Sequence, residues 1–155
     1  MMAAVDYIEM KIPAKPEFVG VTRLTLSGIA SRMGFSYEII EDLKIATSEA
    51  ITNAVQHAYK GEEGEVLIGF GMHDDHLEVV VSDNGESFDF HKTKELLGPY
   101  IDHSVEFLRE GGLGLYLIET LMDEVKVHQN EGITLFMTKY LEGEQVEMDA
   151  ETVST

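Results

Sequence analysis

Three short stretches of this 155-residue chain have residue types and spacings that could do chemistry. In the first, SEAITNAVQHAY at residues 48–59, Glu49, Asn53 and His57 follow one another at intervals of four. Four residues make about one helical turn, so the three side chains are expected on one side of a helix. Carboxylate and amide oxygens are ligands that Mg²⁺ accepts, so Glu49 and Asn53 could hold the cation or its water shell. The alternative is an ordinary solvated helix face, which the stretch taken alone favours.

The second stretch is SDNGES, residues 82–87, which follows a run of apolar residues typical of a buried strand. Loops at strand ends often hold binding residues, and Asp83 could accept a hydrogen bond from an amino group of a ligand. Gly85 would let a flat group approach the backbone, because it has no side chain. The alternative is an ordinary Asp-Asn-Gly turn, made of the residues that turns most often use.

The third stretch is EGGLGL, residues 110–115, in which Gly111, Gly112 and Gly114 precede an apolar helical pattern. Backbone N–H groups at the start of a helix form a positive end that suits phosphate. The stretch matches neither the GxxxxGK[ST] nor the GxGxxG phosphate fingerprint. Glycines also serve as hinges and tight turns, and that alternative stays open.

Two other patterns are weaker. HDDH at residues 73–76 resembles a metal cluster, but it falls between two predicted strands, where a polar hairpin tip is expected. A Ser-His-Asp hydrolase could be composed from Ser48, His57 and Asp83, but no GxSxG motif supports it.

The composition narrows the classes of function. With 29 acidic and 11 basic residues the formal net charge is −18, so direct binding to a nucleic acid backbone is not expected. A polyphosphate site in such a chain needs local neutralisation by a divalent cation, helix N-termini and a few Lys or Arg. The absence of cysteine excludes disulfides and thiolate metal sites. No signal sequence or bilayer-spanning apolar run is visible, so no membrane contact and a cytoplasmic location are expected.

The hydrophobic periodicity predicts the order β-α-α-β-β-lid-α-β-β, hence a two-layer α+β sandwich. We expect one domain over residues 1–141, with a lid at 86–110 and a flexible acidic tail at 142–155. The predicted strands are 4–12, 66–70, 77–82, EVKVH and ITLFMTKY, and the predicted helices are 17–32, 37–59 and 111–123. Gly34 is expected to be the C-cap of the first helix, and Ser36 the N-cap of the second.

The order of the three stretches resembles that of the GHKL, or Bergerat-fold, ATPases, which include DNA gyrase B, sensor histidine kinases and MutL. The resemblance extends over residues 4–140, with SEAITNAVQHAY as the asparagine box and SDNGES and EGGLGL as the two glycine boxes. It implies a mixed, mostly antiparallel sheet with the helices on one face. Within the family the chain is most similar to the small anti-sigma-factor serine kinases of the anti-sigma-B type, because of TNAVQHAY, GGLGL and the lack of an appended domain.

The resemblance implies roles for two residues of the helix and one of the lid. Glu49 would be the general base for a serine hydroxyl, and Asn53 would coordinate the Mg²⁺ that bridges the ATP phosphates. Arg109 is the only arginine between residues 86 and 110 and is the candidate contact to the γ-phosphate.

The resemblance also implies a nucleotide site built from the two glycine boxes. Asp83 would accept from the adenine amino group, and Gly85 would leave room for the ring. Gly112 and Gly114 would let the lid and the helix start wrap around the phosphates of ATP or ADP.

The implied function is that of an anti-sigma factor with two protein partners. It would sequester an alternative sigma factor of the sigma-B type, and it would phosphorylate and inactivate an anti-anti-sigma antagonist on serine with Mg·ATP. A homodimer is a further implication of the resemblance. The alternatives are a nucleotide-dependent sigma-binding module without kinase activity, and a stand-alone ATPase or a fragment of a histidine kinase.

Overall fold

The computed structural model describes residues 6–56, 64–83, 113–129 and 132–141. These residues form five strands and three α-helices in the predicted order, so the two-layer α+β prediction is confirmed. The strands are β1 (Asp6–Pro13), β2 (Glu65–Met72), β3 (His76–Ser82), β4 (Glu124–Gln129) and β5 (Ile133–Tyr140), and the helices are α1 (Val19–Met33), α2 (Tyr37–Ala54) and α3 (Leu113–Leu121).

The strands form one sheet in the order β1-β2-β3-β5-β4. All four strand pairings are antiparallel, so the prediction of a mixed sheet is wrong for the described strands. Only three residues of the sequence separate β2 from β3 and β4 from β5, and strands this close in the chain can only pair as antiparallel neighbours. The middle strand β3 is buried from Leu77 to Ser82, as its continuous apolar pattern predicts.

Only residues 34–36 separate helices α1 and α2, which form an antiparallel pair. A glycine ends the first helix and a serine caps the second. Gly34 ends α1 with a φ of 101°, in the left-handed region that glycine adopts without strain. The Oγ atom of Ser36 accepts a hydrogen bond from the N–H of Ile39 at 3.3 Å and so caps α2. Both ends were predicted from the sequence, and both are confirmed.

The core lies between the helices and one face of the sheet. Helix α2 contacts both α1 and α3, so it is the middle helix of its layer, and it also packs on β3 and β5. Its buried side chains therefore lie over the centre of the sheet. The largest side chains of this core are fully buried: Leu26, Leu43, Ile51, Ile68, Phe70, Leu77, Leu115, Ile118 and Met137.

The predicted bounds of two helices extend beyond the described residues. Helix α2 is predicted to reach residue 59; its α-helical part ends at Ala54, residues 55–56 are π-helical, and residues 57–59 lie outside the described residues. Helix α3 is predicted from residue 111 and is described from Leu113. The predicted lid at 86–110 and tail at 142–155 lie outside the described residues.

Candidate functional site

Two of the predicted site residues, Glu49 and Asn53, project from the last two turns of α2. Because α2 is the middle helix, this end of it meets α3 on one side and α1 on the other. Glu49 is half-buried, and Asn53 is only 8% exposed. The sequence pattern puts Asn53 on a polar stripe, and the structure adds that neighbouring elements cover this residue.

The start of α3 lies directly against both side chains. A Cβ atom added to Gly114 would be 2.9 Å from Oε2 of Glu49, 3.0 Å from Nδ2 of Asn53 and 3.3 Å from Oδ1 of Asn53. Side-chain carbons almost never come this close to other heavy atoms, so this position accepts only glycine without displacement of α2 side chains. The first and third stretches therefore meet in space, although about sixty residues separate them in the chain.

The second stretch reaches the same place through Asp83, which follows β3. Its Oδ1 atom accepts a hydrogen bond from the N–H of Ile133 at 3.0 Å, and its own N–H donates to the Ile133 carbonyl at 3.2 Å. These two bonds fix Asp83 against β5, one through its carboxyl group and one through its backbone. Asp83 is 7% exposed, and burial raises the pKa of its carboxyl group above the ordinary value.

A pocket lies between the end of α2 and the sheet, with Asn53 and Asp83 in its wall. The other lining residues are apolar, which suits a flat heteroaromatic group whose polar edge meets Asp83. The lining consists of Ala50, Asn53, Ala54, Val81, Asp83, Ile133 and Leu135.

The Asn53 amide is suited to a ligand that offers a hydrogen-bond acceptor. Its Nδ2 atom is buried and has no hydrogen-bond partner among the residues that the structure describes. A buried amide without a partner is unfavourable, so a group that enters the site and bonds to it gains binding energy. With the half-buried carboxylate of Glu49 beside it, the pair offers the oxygen donors that Mg²⁺ prefers.

The structure thus brings together Glu49, Asn53, Asp83 and Gly114. The predicted residues Gly85, Arg109 and Gly112 lie outside the described residues, as does His57. HDDH lies at the turn between β2 and β3, where the rings of His73 and His76 stack with their centroids 4.0 Å apart.

Two residues that contribute to this region were not singled out from the sequence. Ile133 fixes Asp83 through its backbone, which only the pairing of β3 with β5 reveals. Arg23 on α1 donates from Nη1 to Oγ of Ser48 at 3.3 Å, next to Glu49. The antiparallel arrangement of α1 and α2, which the Gly34 and Ser36 signals predict, could have placed Arg23 opposite this end of α2.

We predict that Asp83→Asn stabilises the ligand-free protein at neutral pH. Asn keeps the oxygen that accepts from Ile133 but carries no charge to bury. The folded-state pKa of Asp83 is raised, so the wild type loses stability as the pH rises from about 4, the unfolded value, through the folded value. Thermal melts should therefore show a Tm advantage of the variant that grows between about pH 4 and pH 7.

The matched control for this measurement is Asp74→Asn, at an exposed position of the hairpin between β2 and β3. It removes one negative charge from the protein as well, but that charge is not buried. An equal Tm change in both variants at every pH would contradict a cost of burying the Asp83 carboxylate.

Comparison with known proteins identifies a family and close relatives. The sequence model of the histidine kinase-like ATPase domain matches residues 12–139. The serine-protein kinase RsbW of Oceanobacillus iheyensis is 60% identical, over 99% of this chain and 99% of that protein. The serine-protein kinase RsbW of Bacillus subtilis is 64% identical, over 93% of this chain and 91% of that protein.

A solved structure of the RsbU and RsbW domains of a Mycobacterium tuberculosis protein has a similar fold. Its TM-score is 0.61 at 20% sequence identity, over 87% of this chain and 32% of that chain. At this identity the similarity concerns the fold. None of the helices in the described ranges combines the length and the apolar character that a membrane-spanning helix needs.

Proposed function

We propose that this chain, which belongs to the histidine kinase-like ATPase family, is a protein-serine kinase that transfers the γ-phosphoryl group of ATP to a partner protein. The observation that supports this most strongly is the contact of Gly114 with Glu49 and Asn53. It joins the asparagine box to the second glycine box in a chain whose relatives at 60% and 64% identity are serine-protein kinases.

The chain binds ATP as a member of this family, and we assign the adenine to the pocket beside Asp83. The ring would lie between Ala50 and Ala54 of α2 and the side chains of the sheet. Its amino group would donate to the Asp83 carboxylate, which the N–H of Ile133 holds in place. Asp83→Asn then turns an amide NH₂ towards that amino group, because Oδ1 accepts from Ile133, and should weaken ATP binding by roughly 10- to 100-fold.

The phosphates would extend from this pocket towards Glu49 and the start of α3. Asn53 would hold Mg²⁺ through Oδ1, and the cation would neutralise charge on the phosphates in a strongly acidic protein. The backbone at Gly114 would approach the phosphates closely because glycine has no side chain, which also permits its close approach to Glu49. By resemblance, Gly85 would border the adenine, Gly112 would contact the phosphates and Arg109 would contact the γ-phosphate.

Glu49 would act on the attacking serine. Its carboxylate accepts a hydrogen bond from the serine hydroxyl, orients the oxygen towards the γ-phosphorus and takes the proton as the new P–O bond forms. The bond from the γ-phosphorus to the bridging oxygen breaks, and ADP leaves with that oxygen. The transition state of phosphoryl transfer is loose, so orientation and charge neutralisation account for most of the catalysis.

The proposed kinase function also indicates which proteins this chain binds. We propose that the chain sequesters a sigma factor and that its kinase substrate is the anti-anti-sigma factor, which phosphorylation inactivates. The two proteins would compete for the kinase, and the bound nucleotide would bias the choice. We further propose a homodimer.

We predict that Asn53→Ala weakens Mg·ATP binding and lowers the dependence of that binding on Mg²⁺. The substitution removes the amide oxygen proposed to coordinate the cation, so affinity should fall by roughly 10- to 100-fold, as for the loss of an interaction with a charged group. Titration calorimetry with ATP, with Mg²⁺ and with EDTA, measures both quantities. The control Thr52→Ala alters the preceding residue of α2. Asn53→Ala with an unchanged Mg²⁺ dependence would exclude the metal assignment.

The proposed function is tested by following the γ-phosphoryl group. The protein is incubated with Mg²⁺, γ-labelled ATP and anti-anti-sigma factors, and the labelled species are separated. Label on a serine of the partner is the expected result. Release of the label as free phosphate would indicate an ATPase, label on histidine a histidine kinase, and bound but intact ATP a binding module, and each of these results would overturn the proposal.

A further inference from the structure

A lysine of β5 holds the C-terminal end of α3. The Nζ atom of Lys139 donates a hydrogen bond to the carbonyl oxygen of Leu121, the last residue of α3, at 2.8 Å. The last carbonyl groups of a helix lack partners within it and form its negative end, so an ammonium group there bonds to a carbonyl and neutralises that end. Helix α3 has no basic residue in its own last turn, and β5 supplies the charge. The Lys139 side chain is only 13% exposed.

Asp123, between α3 and β4, strengthens the same attachment to β5. Its N–H donates to the carbonyl of Thr138 at 2.9 Å, and its Oδ2 atom accepts from the N–H of Tyr140 at 2.7 Å. Its Oδ1 atom is 3.5 Å from Nζ of Lys139. Three consecutive residues of β5 therefore hold the end of α3 and the residues that follow it through directional contacts.

The opposite end of α3 contains the proposed phosphate site. Gly114 lies near the start of this helix, and an added Cβ atom there would be 2.9 Å from the Glu49 carboxylate and 3.0 Å from the Asn53 amide. At a rise of about 1.5 Å per residue, about 10 Å along the axis separates Gly114 from Leu121. A helix this short moves as a rigid element, so a shift of its C-terminal end along the axis changes the position of Gly114 as well.

The apolar contacts of α3 define which face of the helix is buried. Leu115 and Ile118 are fully buried in the core, where α3 packs on α2. Burial of apolar surface is largely non-directional, whereas a hydrogen bond weakens steeply when its length or angle changes. The polar contacts at the C-terminal end therefore restrict the position of α3 along its axis more strictly than the apolar contacts do.

Strand β5 also connects this attachment to the adenine pocket. At the start of the strand, the N–H of Ile133 donates to the Asp83 carboxylate at 3.0 Å, and Lys139 lies near the other end of the same strand. One strand thus holds both the carboxylate that we assign to the adenine and the helix that we assign to the phosphates.

We propose that Lys139 is a positioning residue for phosphoryl transfer. It holds α3 at the place along its axis where Gly114 contacts Glu49 and Asn53, and it acts from the far end of the helix without touching the nucleotide. This inference rests on the proposed kinase function and adds a residue outside the site on which the geometry of the site depends.

The test compares Lys139→Met with Lys139→Arg and with the matched control Lys44→Met, which removes a lysine of α2 that pairs with Glu41 at 2.9 Å. Lys139→Met is expected to lower kcat for serine phosphorylation about tenfold, because a misplacement of about 1 Å already costs about 10²-fold and a smaller shift costs less. The KM for the anti-anti-sigma factor should not change. Lys139→Arg keeps the charge and N–H donors, so its kcat should stay within about threefold of the wild-type value. Lys44→Met should keep the wild-type kcat.

A double-mutant cycle shows whether Lys139 acts through Gly114. Gly114→Ala displaces the side chains of α2 by itself, so Lys139→Met should lower kcat less than about twofold further in that background. Substitutions at independent sites are additive in free energy, so two independent losses of kcat would multiply. If Lys139→Met does not fold, Lys139→Gln, which keeps an N–H donor on a shorter side chain, takes its place with the same expectations.

The backbone amide of Gly114 gives a readout that needs no turnover. In ¹H–¹⁵N spectra of the ligand-free protein, its signal should shift in Lys139→Met and keep the wild-type position in Lys44→Met. A loss of stability alone would lower the Tm of a variant but leave the signal of its folded form in place.

The contrary results are distinct. A wild-type kcat in Lys139→Met, an unshifted Gly114 signal or multiplying losses in the cycle would overturn the inference and leave the proposed function intact. A raised KM for the anti-anti-sigma factor at unchanged kcat would place Lys139 at the protein interface and overturn it as well. If the wild type labels no protein serine, the proposed function fails, and this inference fails with it.

Discussion

Glu49→Gln is expected to lower the rate of serine phosphorylation by about 10²- to 10⁴-fold, the usual contribution of a general acid or base. Glutamine keeps the size of the side chain and an oxygen that accepts a hydrogen bond, but it cannot take the proton of the serine hydroxyl. The contact between the Glu49 side chain and the backbone at Gly114 should persist, because the shape is conserved. The Kd for Mg·ATP should therefore stay within about threefold of the wild-type value.

Quench-flow measurements at saturating ATP give the transfer rate, and calorimetry gives the Kd. The matched control is Glu41→Gln, two turns earlier on α2, where the carboxylate pairs with Lys44 at 2.9 Å on a partly exposed surface. Such a pair adds at most about 1 kcal/mol to stability and lies away from the proposed site. Transfer by Glu49→Gln at the wild-type rate would show that Glu49 is not the base.

Gly114→Ala is expected to disable both nucleotide binding and transfer. The new methyl group would be 2.9 Å from the Glu49 carboxylate and 3.0 Å from the Asn53 amide, so at least one of these side chains has to move. A displacement of about 1 Å in a catalytic group can lower the rate about 10²-fold. We expect a loss of this size in transfer, together with weaker Mg·ATP binding because Asn53 shifts.

The control is Gly28→Ala on α1, where an added Cβ meets no atom within 4 Å. Alanine in an exposed helix position is favoured over glycine by about 0.5–1 kcal/mol, so this variant should gain stability and keep full activity. Circular dichroism verifies that both variants keep their helices. If Gly114→Ala binds Mg·ATP and transfers phosphate as the wild type does, the contact between α2 and α3 has no role in the site.

The sequence could predict the elements of the fold because their signals are local. The apolar alternation of the strands, the Gly34 C-cap and the Ser36 N-cap each depend on a few neighbouring residues, and all are confirmed. The π-helical residues 55–56 after α2 were not predicted, because helical periodicity continues through residues 55–59 and no capping signal marks the change; the predicted helix at 57–59 lies outside the described residues.

The site could be predicted only in part, because its geometry depends on contacts between distant segments. The spacing predicts Asn53 on a polar helix face. In the structure Asn53 is buried, on the helix against which α3 packs. Gly114 is ambiguous in the sequence between a hinge, a turn and a phosphate contact. The structure adds a further reason for this glycine, since the side chains of α2 occupy the space beside it.

The hydrogen bond that holds the Asp83 carboxyl group also depends on a contact between distant segments. Its place at the end of an apolar strand follows from the sequence, but the hydrogen bond from Ile133 requires the β3–β5 pairing, which joins segments fifty residues apart. The roles given to Gly85, Arg109 and Gly112 remain predictions, since these residues lie outside the described ranges.

The site is expected to direct the γ-phosphoryl group of ATP to a protein serine and not to water. A single turnover separates these two acceptors: kinase and anti-anti-sigma factor are both in excess over ATP, and phosphoserine and ADP are measured in the same sample. We expect about one phosphoserine for each ADP formed, because the serine hydroxyl is then the nucleophile. ADP that accumulates without phosphoserine would contradict it.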